Sequence, residues 1–374
     1  MSRQGPSGRN GLDEQEDIEG AIFLPAGFPY LELMALAPVL EGAGVFTPGY
    51  GPPAIGLCHP NGFLYSHSFQ GQSTTLLPDR NIASRFAQIA MGKPATDDLR
   101  LVAAMKAFCH FLDILVEPSV AFHELAHKQG NAKANEELAW FRIGDNGDAF
   151  VWFDYAMGRI DRIPPPADEP RFDSRDLAFP LRRWRRNYIV ALKIAELELS
   201  GLTNLQRMLA LLDWMHDDFI VAGPAAMLAC IYFAPNSPPR ARLLKRLNSP
   251  DRQRALDGVK NAAWDITHLS DFIKKVNEAN GNGTRYLLAS SDKALHIMAK
   301  FLFDFSADGI HLGPVADGLS AWWPVDQAIS IAECLARLIE EAEDPGRALN
   351  NPQPDGFIDD MTSRGERIVL SESA

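Results

Sequence analysis

Residues 73–81 read STTLLPDRN, a run of β-branched and apolar residues that ends in an acid and is followed by helically spaced apolar residues. Residues 286–295 read YLLASSDKAL and have the same order of apolar strand, small residues, acid and helix. Groups that follow parallel strands lie at the carboxyl edge of the sheet, where open α/β folds bind ligands. The two segments predict an α/β fold with a mainly parallel sheet and with Asp79 and Asp292 at one edge.

Two further acids are expected to join this edge. Glu124 follows the apolar residues of PSVAFHE, residues 118–124, on a predicted helix. Asp265 lies in AWDIT, residues 263–267, where it is predicted to open a helix. Carboxylates that crowd together repel one another unless a hard divalent cation neutralises them. The four acids therefore predict a site for Mg²⁺ or Mn²⁺ that serves phosphate chemistry.

Three of these acids also have a purely structural interpretation. Asp79, Asp265 and Asp292 each precede a predicted helix, and an Asp at that position commonly caps the first helical turn. Capping does not explain Glu124, because this acid follows apolar residues inside a predicted helix.

The order of the segments resembles the PIN-domain nucleases. A strand-terminal Asp followed two residues later by Asn matches Asp79 and Asn81, and the final Ser-x-Asp matches residues 290–292. The matching segments cover residues 76–86, 117–130, 262–273 and 286–301. The sequence departs from a compact PIN domain in the long separation between Glu124 and Asp265.

The resemblance implies a PIN-like α/β core with a large helical insertion, which acts as a metal-dependent endonuclease on RNA. A metal-activated water would hydrolyse the phosphodiester bond. The metal-ligating and catalytic residues implied are Asp79, Glu124, Asp265 and Asp292. Asn81 and Ser290 would orient the carboxylates through hydrogen bonds.

Apolar periodicity and turn residues divide the chain into five parts. They are a flexible leader (1–19), the first part of the core (20–127), a helical insertion (128–260), the second part of the core (261–340) and a loosely ordered tail (341–374). Within the first part of the core, PNG at residues 60–62 predicts a hairpin turn between strands at residues 55–58 and 63–66.

The composition limits the kinds of partner. The chain has 374 residues and a formal net charge of −12, which argues against a protein that coats nucleic acid by bulk attraction. Four scattered cysteines predict neither a disulfide framework nor a zinc ribbon, and they favour a cytoplasmic location. The longest uncharged run is shorter than a membrane helix needs. A homo-oligomer and a regulatory protein partner are both compatible with this composition.

A basic cluster in the insertion is a candidate for nucleic-acid contact. Arginine recognises phosphate with two parallel hydrogen bonds, and tryptophan stacks on unpaired bases. The alternative is a solvated helix face that pairs with nearby acids. The cluster comprises Arg182, Arg183, Trp184, Arg185 and Arg186.

A competing motif is HELAH at residues 123–127. In zinc peptidases of this pattern, residues such as His123 and His127 bind Zn²⁺ and the acid between them activates water. Lys133 occupies the position of a third histidine ligand in the extended pattern, and it cannot replace an imidazole. A zinc metallopeptidase that uses HELAH is the second hypothesis. The third hypothesis is a non-catalytic PIN-like protein that binds partners.

Overall fold

The computed structural model describes residues 22–166, 170, 172, 174–220, 222–237, 243–279, 283–307, 312–342 and 354–371. Within these ranges most residues lie in helices, which surround one four-stranded mixed sheet. This architecture is compatible with the predicted α/β class. No helix in these ranges combines the length and the apolar character that crossing a membrane requires. The predicted leader, residues 1–19, lies outside the described residues.

The strands are β1 Phe46–Pro48, β2 Ser73–Pro78, β3 Leu115–Val116 and β4 Thr284–Ala289. The helices before the first long gap are α1 Tyr30–Ala43, α2 Pro60–Gln70, α3 Arg80–Ala90, α4 Asp97–Phe111, α5 Ser119–Gln129, α6 Asn131–Asp145 and α7 Ala149–Ala156. The later helices are α8 Arg182–Leu199, α9 Asn204–Asp217, α10 Gly223–Phe233, α11 Arg252–Glu278, α12 Lys293–Ala307, α13 Leu312–Leu319, α14 Val325–Ala342 and α15 Phe357–Ser371.

The sheet has the strand order β1-β4-β2-β3. β2 is parallel to both β4 and β3, whereas β1 is antiparallel to β4, and Leu76 lies opposite Leu287. Because side chains alternate across a strand, Leu76 and Leu287 face one core while Leu77 and Leu288 face another. All four are buried, which explains why the second half of each strand reads as an apolar run.

The two cores lie on opposite faces of the sheet. The first is formed by α1 to α7 and includes Phe86, Phe108 and Trp152. The second is formed by α8 to α15 and includes Phe233 and Phe272. The central strands are therefore covered on both faces, so their accessible polar groups lie at the strand ends.

The segment predicted as a helical insertion, residues 128–260, is helical in all of its described regular elements. Its helices do not pack as one unit. α6 packs against α3 and α5, and α7 packs against α4, whereas α8 packs against α11 and α15. The segment therefore contributes to both cores.

The predicted hairpin around residues 60–62 is wrong, because Pro60 is the first residue of α2. The His59 side chain caps this helix, with its Nδ1 accepting a hydrogen bond of 3.2 Å from the Asn61 backbone N–H. Proline suits a first helical position, since its fixed φ is helical and its missing N–H has no partner there. The strands predicted at residues 55–58 and 63–66 do not form.

The prediction that Asp265 opens a helix is also wrong. Asp265 lies in the interior of α11, which begins at Arg252. The Asp251 side chain caps that helix by accepting a hydrogen bond of 3.3 Å from the Arg254 backbone N–H. The capping interpretation of Asp265 is therefore excluded.

The tail after residue 341 is not loosely ordered throughout, because α15 packs against α8 and α11. Val369 is fully buried, and its carbonyl oxygen accepts a hydrogen bond of 2.8 Å from the Arg252 guanidinium. Tyr188 donates its hydroxyl hydrogen to Glu366 over 2.7 Å. These contacts attach the C-terminal helix to the second core.

Candidate functional site

Asp79 follows β2 at the carboxyl edge of the sheet and is buried. Its Oδ1 accepts a hydrogen bond of 2.8 Å from the Ile82 backbone N–H, so it caps α3. Its Oδ2 accepts a hydrogen bond from the Ser290 hydroxyl, which follows the neighbouring strand β4. Burial raises the pKa of Asp79 and the charge of Glu124 adds to the effect, against the hydrogen bonds from Ser290 and Ile82. The acid is therefore both a helix cap and a member of the edge cluster.

Ser290 connects Asp79 with Asp292. Its fully buried hydroxyl donates to Asp79 and accepts a hydrogen bond of 2.9 Å from the Asp292 backbone N–H. The Asp292 carboxylate in turn accepts a hydrogen bond of 2.9 Å from the backbone N–H of Ala294 at the start of α12. The Ser290 side chain thus links the residues that follow the paired strands β2 and β4.

Asn81 does not have the position predicted for it. It is exposed on the first turn of α3 and forms no side-chain hydrogen bond with the described residues. Asp79 is the N-cap residue of α3, and Asn81 is the second residue of that helix. The Asn81 side chain therefore lies on the exposed side of the first turn, whereas the Asp79 side chain is buried. Asn81 does not orient a carboxylate here.

Glu124 on α5 forms a buried pair with His268 on α11. Oε2 of Glu124 lies 3.0 Å from Nε2 of His268, and each side chain is at most 8% exposed. Oε1 of Glu124 accepts a hydrogen bond of 2.7 Å from Nζ of Lys128, one helical turn further on. Both carboxylate oxygens of Glu124 are therefore bound to protein donors.

The two pKa shifts favour the charged forms of this pair. Burial alone would raise the pKa of Glu124, but the hydrogen bond and charge of His268, together with Lys128, lower it overall. Burial alone would lower the pKa of His268, but the hydrogen bond and charge of Glu124, with the charges of Asp79 and Asp265, raise it overall. A carboxylate and an imidazolium thus stabilise each other's charged forms.

His268 was not among the residues predicted from the sequence. It lies three residues after Asp265, and that spacing places both on one face of α11. The pattern Asp-x-x-His on an apolar helix was the signal available. It became meaningful only with Glu124 as the partner.

Asp265 is the least satisfied carboxyl group of the cluster. It is half-buried, and its carboxylate oxygens form no hydrogen bond or ion pair with any described residue. Burial, with the charges of Glu124 and Asp292, raises the pKa of Asp265 to about 7, although the charges of His268 and Lys245 oppose the shift. The charges of all four predicted acids and of His268 are therefore coupled at one edge of the sheet.

The carboxylate oxygens of the cluster are suitable ligands for a hard cation, but they are not arranged to hold one. Across the described ranges, no three His, Cys, Asp or Glu side chains are arranged to hold a metal ion. Asp79 and Glu124 use their carboxylate oxygens for protein hydrogen bonds, whereas Asp265 does not. A hard cation would therefore need Asp265 to lose its proton and Glu124 to exchange Lys128 for the ion.

The histidines of HELAH have other partners. Nδ1 of His123 lies 2.8 Å from the carbonyl oxygen of Leu177. The His127 ring packs against Trp184 and Trp264, with ring centroids 5.1 and 5.3 Å apart. Glu124 points instead to His268, and the described residues supply no third zinc ligand. No contact of these side chains supports the zinc alternative.

Trp184 is partly buried and packs in an aromatic cluster against the second core. Its ring stacks on Tyr188 at 5.0 Å with an interplanar angle of 16°, and it also contacts Trp264 at 5.4 Å. Its other neighbour is His127. Since its neighbours already occupy the ring, the predicted stacking on an unpaired base does not fit this position.

The four arginines of the cluster fall into two pairs. Arg183 forms an ion pair of 2.7 Å with Asp271, and Arg185 pairs with Asp359. Arg182 and Arg186 have no acidic partner among the described residues. The solvated-face interpretation therefore accounts for two of the four arginines.

Arg182 and Arg186 line a cavity of about 960 Å³ between α5, α8 and α11. The Nε of Arg186 is buried and has no hydrogen-bond partner in the described part of the chain. Burial lowers the pKa of Arg186 and the charge of Arg182 adds to this effect, so the two like charges oppose each other. The cavity also borders His123, next to Glu124, and Thr267, next to His268. An anion there would lie against the helices that carry the acid cluster.

Comparison of the chain with models of protein families, with curated proteins and with solved structures found no match in any of the three. The similarity to PIN-domain nucleases therefore rests on the motif residues of this chain.

Proposed function

We propose that the coupled acids form the active site of a PIN-like hydrolase that cleaves phosphodiester bonds in RNA with the help of Mg²⁺ or Mn²⁺. The observation that carries the proposal is Asp265: a half-buried carboxyl group that has no partner among the described residues, lies beside two other acids and has a pKa of about 7. Carboxyl groups perturbed in this way by burial and like charges are concentrated at functional sites.

The chain's own residues would divide the chemistry between them. A group with a pKa of about 7 loses its proton readily at neutral pH, so Asp265 is suited to become a cation ligand there. The His268 imidazolium lies beside it and would offset negative charge that accumulates on the phosphate. Ser290 would hold the Asp79 carboxylate in place.

A divalent cation would be held by Asp265 and Asp292, with Glu124 joining after Lys128 leaves. The cation would neutralise the scissile phosphate and acidify a bound water. Lys128 is suited to leave, because its side chain is 42% exposed and gains little from the ion pair it would give up.

The RNA assignment rests on Arg182 and Arg186. In this acidic protein two neighbouring arginines line one cavity and have no carboxylate partner among the described residues, which offers a local site for phosphate. The sugar-phosphate backbone of a single strand would satisfy both guanidinium groups.

The test is cleavage of a labelled single-stranded RNA by the purified full-length chain with Mg²⁺, Mn²⁺ or a chelator. We expect cation-dependent cleavage that Asp265→Asn reduces by about a hundredfold or more. Asp257→Asn is the matched control, because Asp257 is exposed on the same helix. Absence of cleavage with both cations, or equal activity in Asp265→Asn, would overturn the proposal.

A second candidate function is a non-catalytic PIN-like interaction protein. It is favoured by the absence, among the described residues, of a ready-made metal-binding group and by the ion pair that Lys128 makes with Glu124. This candidate predicts RNA binding through Arg182 and Arg186 without cleavage under any of the cation conditions.

A further inference from the structure

A second cavity, of about 930 Å³, lies at the opposite edge of the sheet from the acids. Arg285 is the second residue of β4, whereas Asp292 follows the end of that strand. The cavity is enclosed by the segment after β1, by α2 and by the start of β4. It is therefore separate from the acid cluster.

The Arg285 side chain is held firmly but without a counter-charge. Its Nη1 donates to Ser66 Oγ over 2.7 Å and its Nη2 donates to Thr74 Oγ1 over 3.3 Å. The guanidinium lies over the Tyr50 ring, 4.3 Å from the centroid. Its Nε is buried without a partner, and no carboxylate of the described residues pairs with it.

The rest of the lining is neutral. Among the described residues that border the cavity, Arg285 carries the single charge. Burial raises the pKa of Tyr50 to about 12, so this phenol does not provide an anion at neutral pH. Burial also lowers the pKa of Arg285, as expected where its charge lacks compensation. A partly buried charge without a partner is costly unless a ligand supplies the opposite charge.

The neutral groups around Arg285 are suited to an organic ligand. The amide side chains of Asn61, Gln70 and Gln72 offer donors and acceptors, while Tyr65 and Ile55 offer apolar surface at the rim. Tyr65 and Ile55 are 41% and 56% exposed. Pockets of this size with one charge and few polar groups are typical of small-molecule sites.

We propose that this cavity binds a small organic oxyanion, whose carboxylate or phosphate group pairs with Arg285 and whose body lies against Tyr65 and the amide side chains. The guanidinium has five N–H donors, and the two protein hydrogen bonds leave others for the ligand. The site does not depend on the proposed nuclease function, because it shares no residue with the acid cluster.

Calorimetric titration of the full-length chain with three matched probes tests the proposal: benzoate, phenyl phosphate and the neutral benzamide. We expect saturable binding of benzoate or phenyl phosphate, and the one that binds identifies the anionic group. We expect no binding of benzamide, because it lacks the charge. Absence of binding by both anions, or binding of benzamide with equal affinity, would contradict the proposal.

Two variants locate the binding. Arg285→Gln should reduce the affinity for the anion by about tenfold or more, whereas Arg159→Gln should not change this affinity. Arg159 is a close control, because it also lies over an aromatic ring, Phe153 at 4.9 Å, but has the carboxylate partner Asp154 at 2.9 Å. Should Arg285→Gln fail to fold, Tyr65→Ala removes an exposed rim residue and should reduce the affinity for the anion by about threefold or more. Unchanged affinity in the folded variants would place the anion elsewhere.

Discussion

Oε2 of Glu124 and Nε2 of His268 lie 3.0 Å apart and join α5 to α11 through a pair that is almost completely buried. The two helices belong to different cores: α5 contributes to the first and α11 to the second. The pair thus combines a structural link with two charges that modify the effect of burial on the pKa values of Asp79 and Asp265.

The first prediction concerns this link. His268→Ala leaves the Glu124 carboxylate buried with Lys128 as its remaining partner, so we expect a loss of about 3 kcal/mol in the free energy of unfolding. Urea denaturation measures the loss. His67→Ala, at an exposed position on α2, should change the stability by less than about 0.5 kcal/mol. Equal effects of the two substitutions would show that the pair contributes no stability.

The second prediction concerns pH. The pKa of Asp265 rises from 3.8 to about 7 on folding, so the folded state keeps a proton that the unfolded state loses above pH 4. The contribution of Asp265 to stability is therefore present below its unfolded pKa and is lost as the pH rises from about 4 to about 7. Asp265→Asn should raise the melting temperature at pH 8 more than at pH 5. An equal shift at both pH values would contradict the raised pKa.

The third prediction concerns cation binding. Because Asp265 must lose its proton first, the affinity for Mn²⁺ should increase as the pH rises towards and through 7, with proton release. Calorimetry in buffers of different ionisation enthalpy measures both quantities. An affinity that does not vary with pH would exclude Asp265 as a ligand.

The fourth prediction concerns Lys128. Lys128→Gln removes the ammonium group from Oε1 of Glu124 and should strengthen Mn²⁺ binding by roughly fivefold, the equivalent of about 1 kcal/mol. Lys133→Gln is the control, because Lys133 pairs with the exposed Glu136. Weaker binding in Lys128→Gln would mean that the cation does not use Glu124.

The fifth prediction concerns RNA affinity. Arg186→Ala should weaken RNA binding and reduce the salt dependence of the affinity by about one phosphate contact. Arg185→Ala should have little effect, since Arg185 is paired with Asp359. Filter binding at several salt concentrations compares the two variants, and identical behaviour would remove the cavity from the RNA-binding surface.

The strands that precede Asp79 and Ser290 were predictable because both strands are buried on two faces. Such strands read as apolar runs in any context, and the acid or small residue that ends each run marks the sheet edge. The helix of Glu124 was predictable from its periodicity. The helix start at Pro60 was not, because Pro-Asn-Gly is compatible with a turn as well as with a capped helix.

The role of His268 depended on a contact across 144 positions, which no local pattern encodes. The same holds for Trp184, whose sequence context of arginines suggested a surface although its ring packs in an aromatic cluster. Asn81 illustrates the reverse case: its spacing matched a motif, but the turn from strand to helix moved its side chain away.

Local sequence was sufficient for the central parallel strands, for the helical character of the described regular elements between residues 128 and 260 and for the four acids as candidates, because burial and periodicity act on neighbouring residues. The tertiary structure decided which groups pair: Glu124 with His268, Ser290 with Asp79, and Asp265 with no described residue. It also gave Arg285 no carboxylate partner among the residues that the structure describes. Charge interactions depend on distance in space and on burial, and both are set only when distant segments pack together.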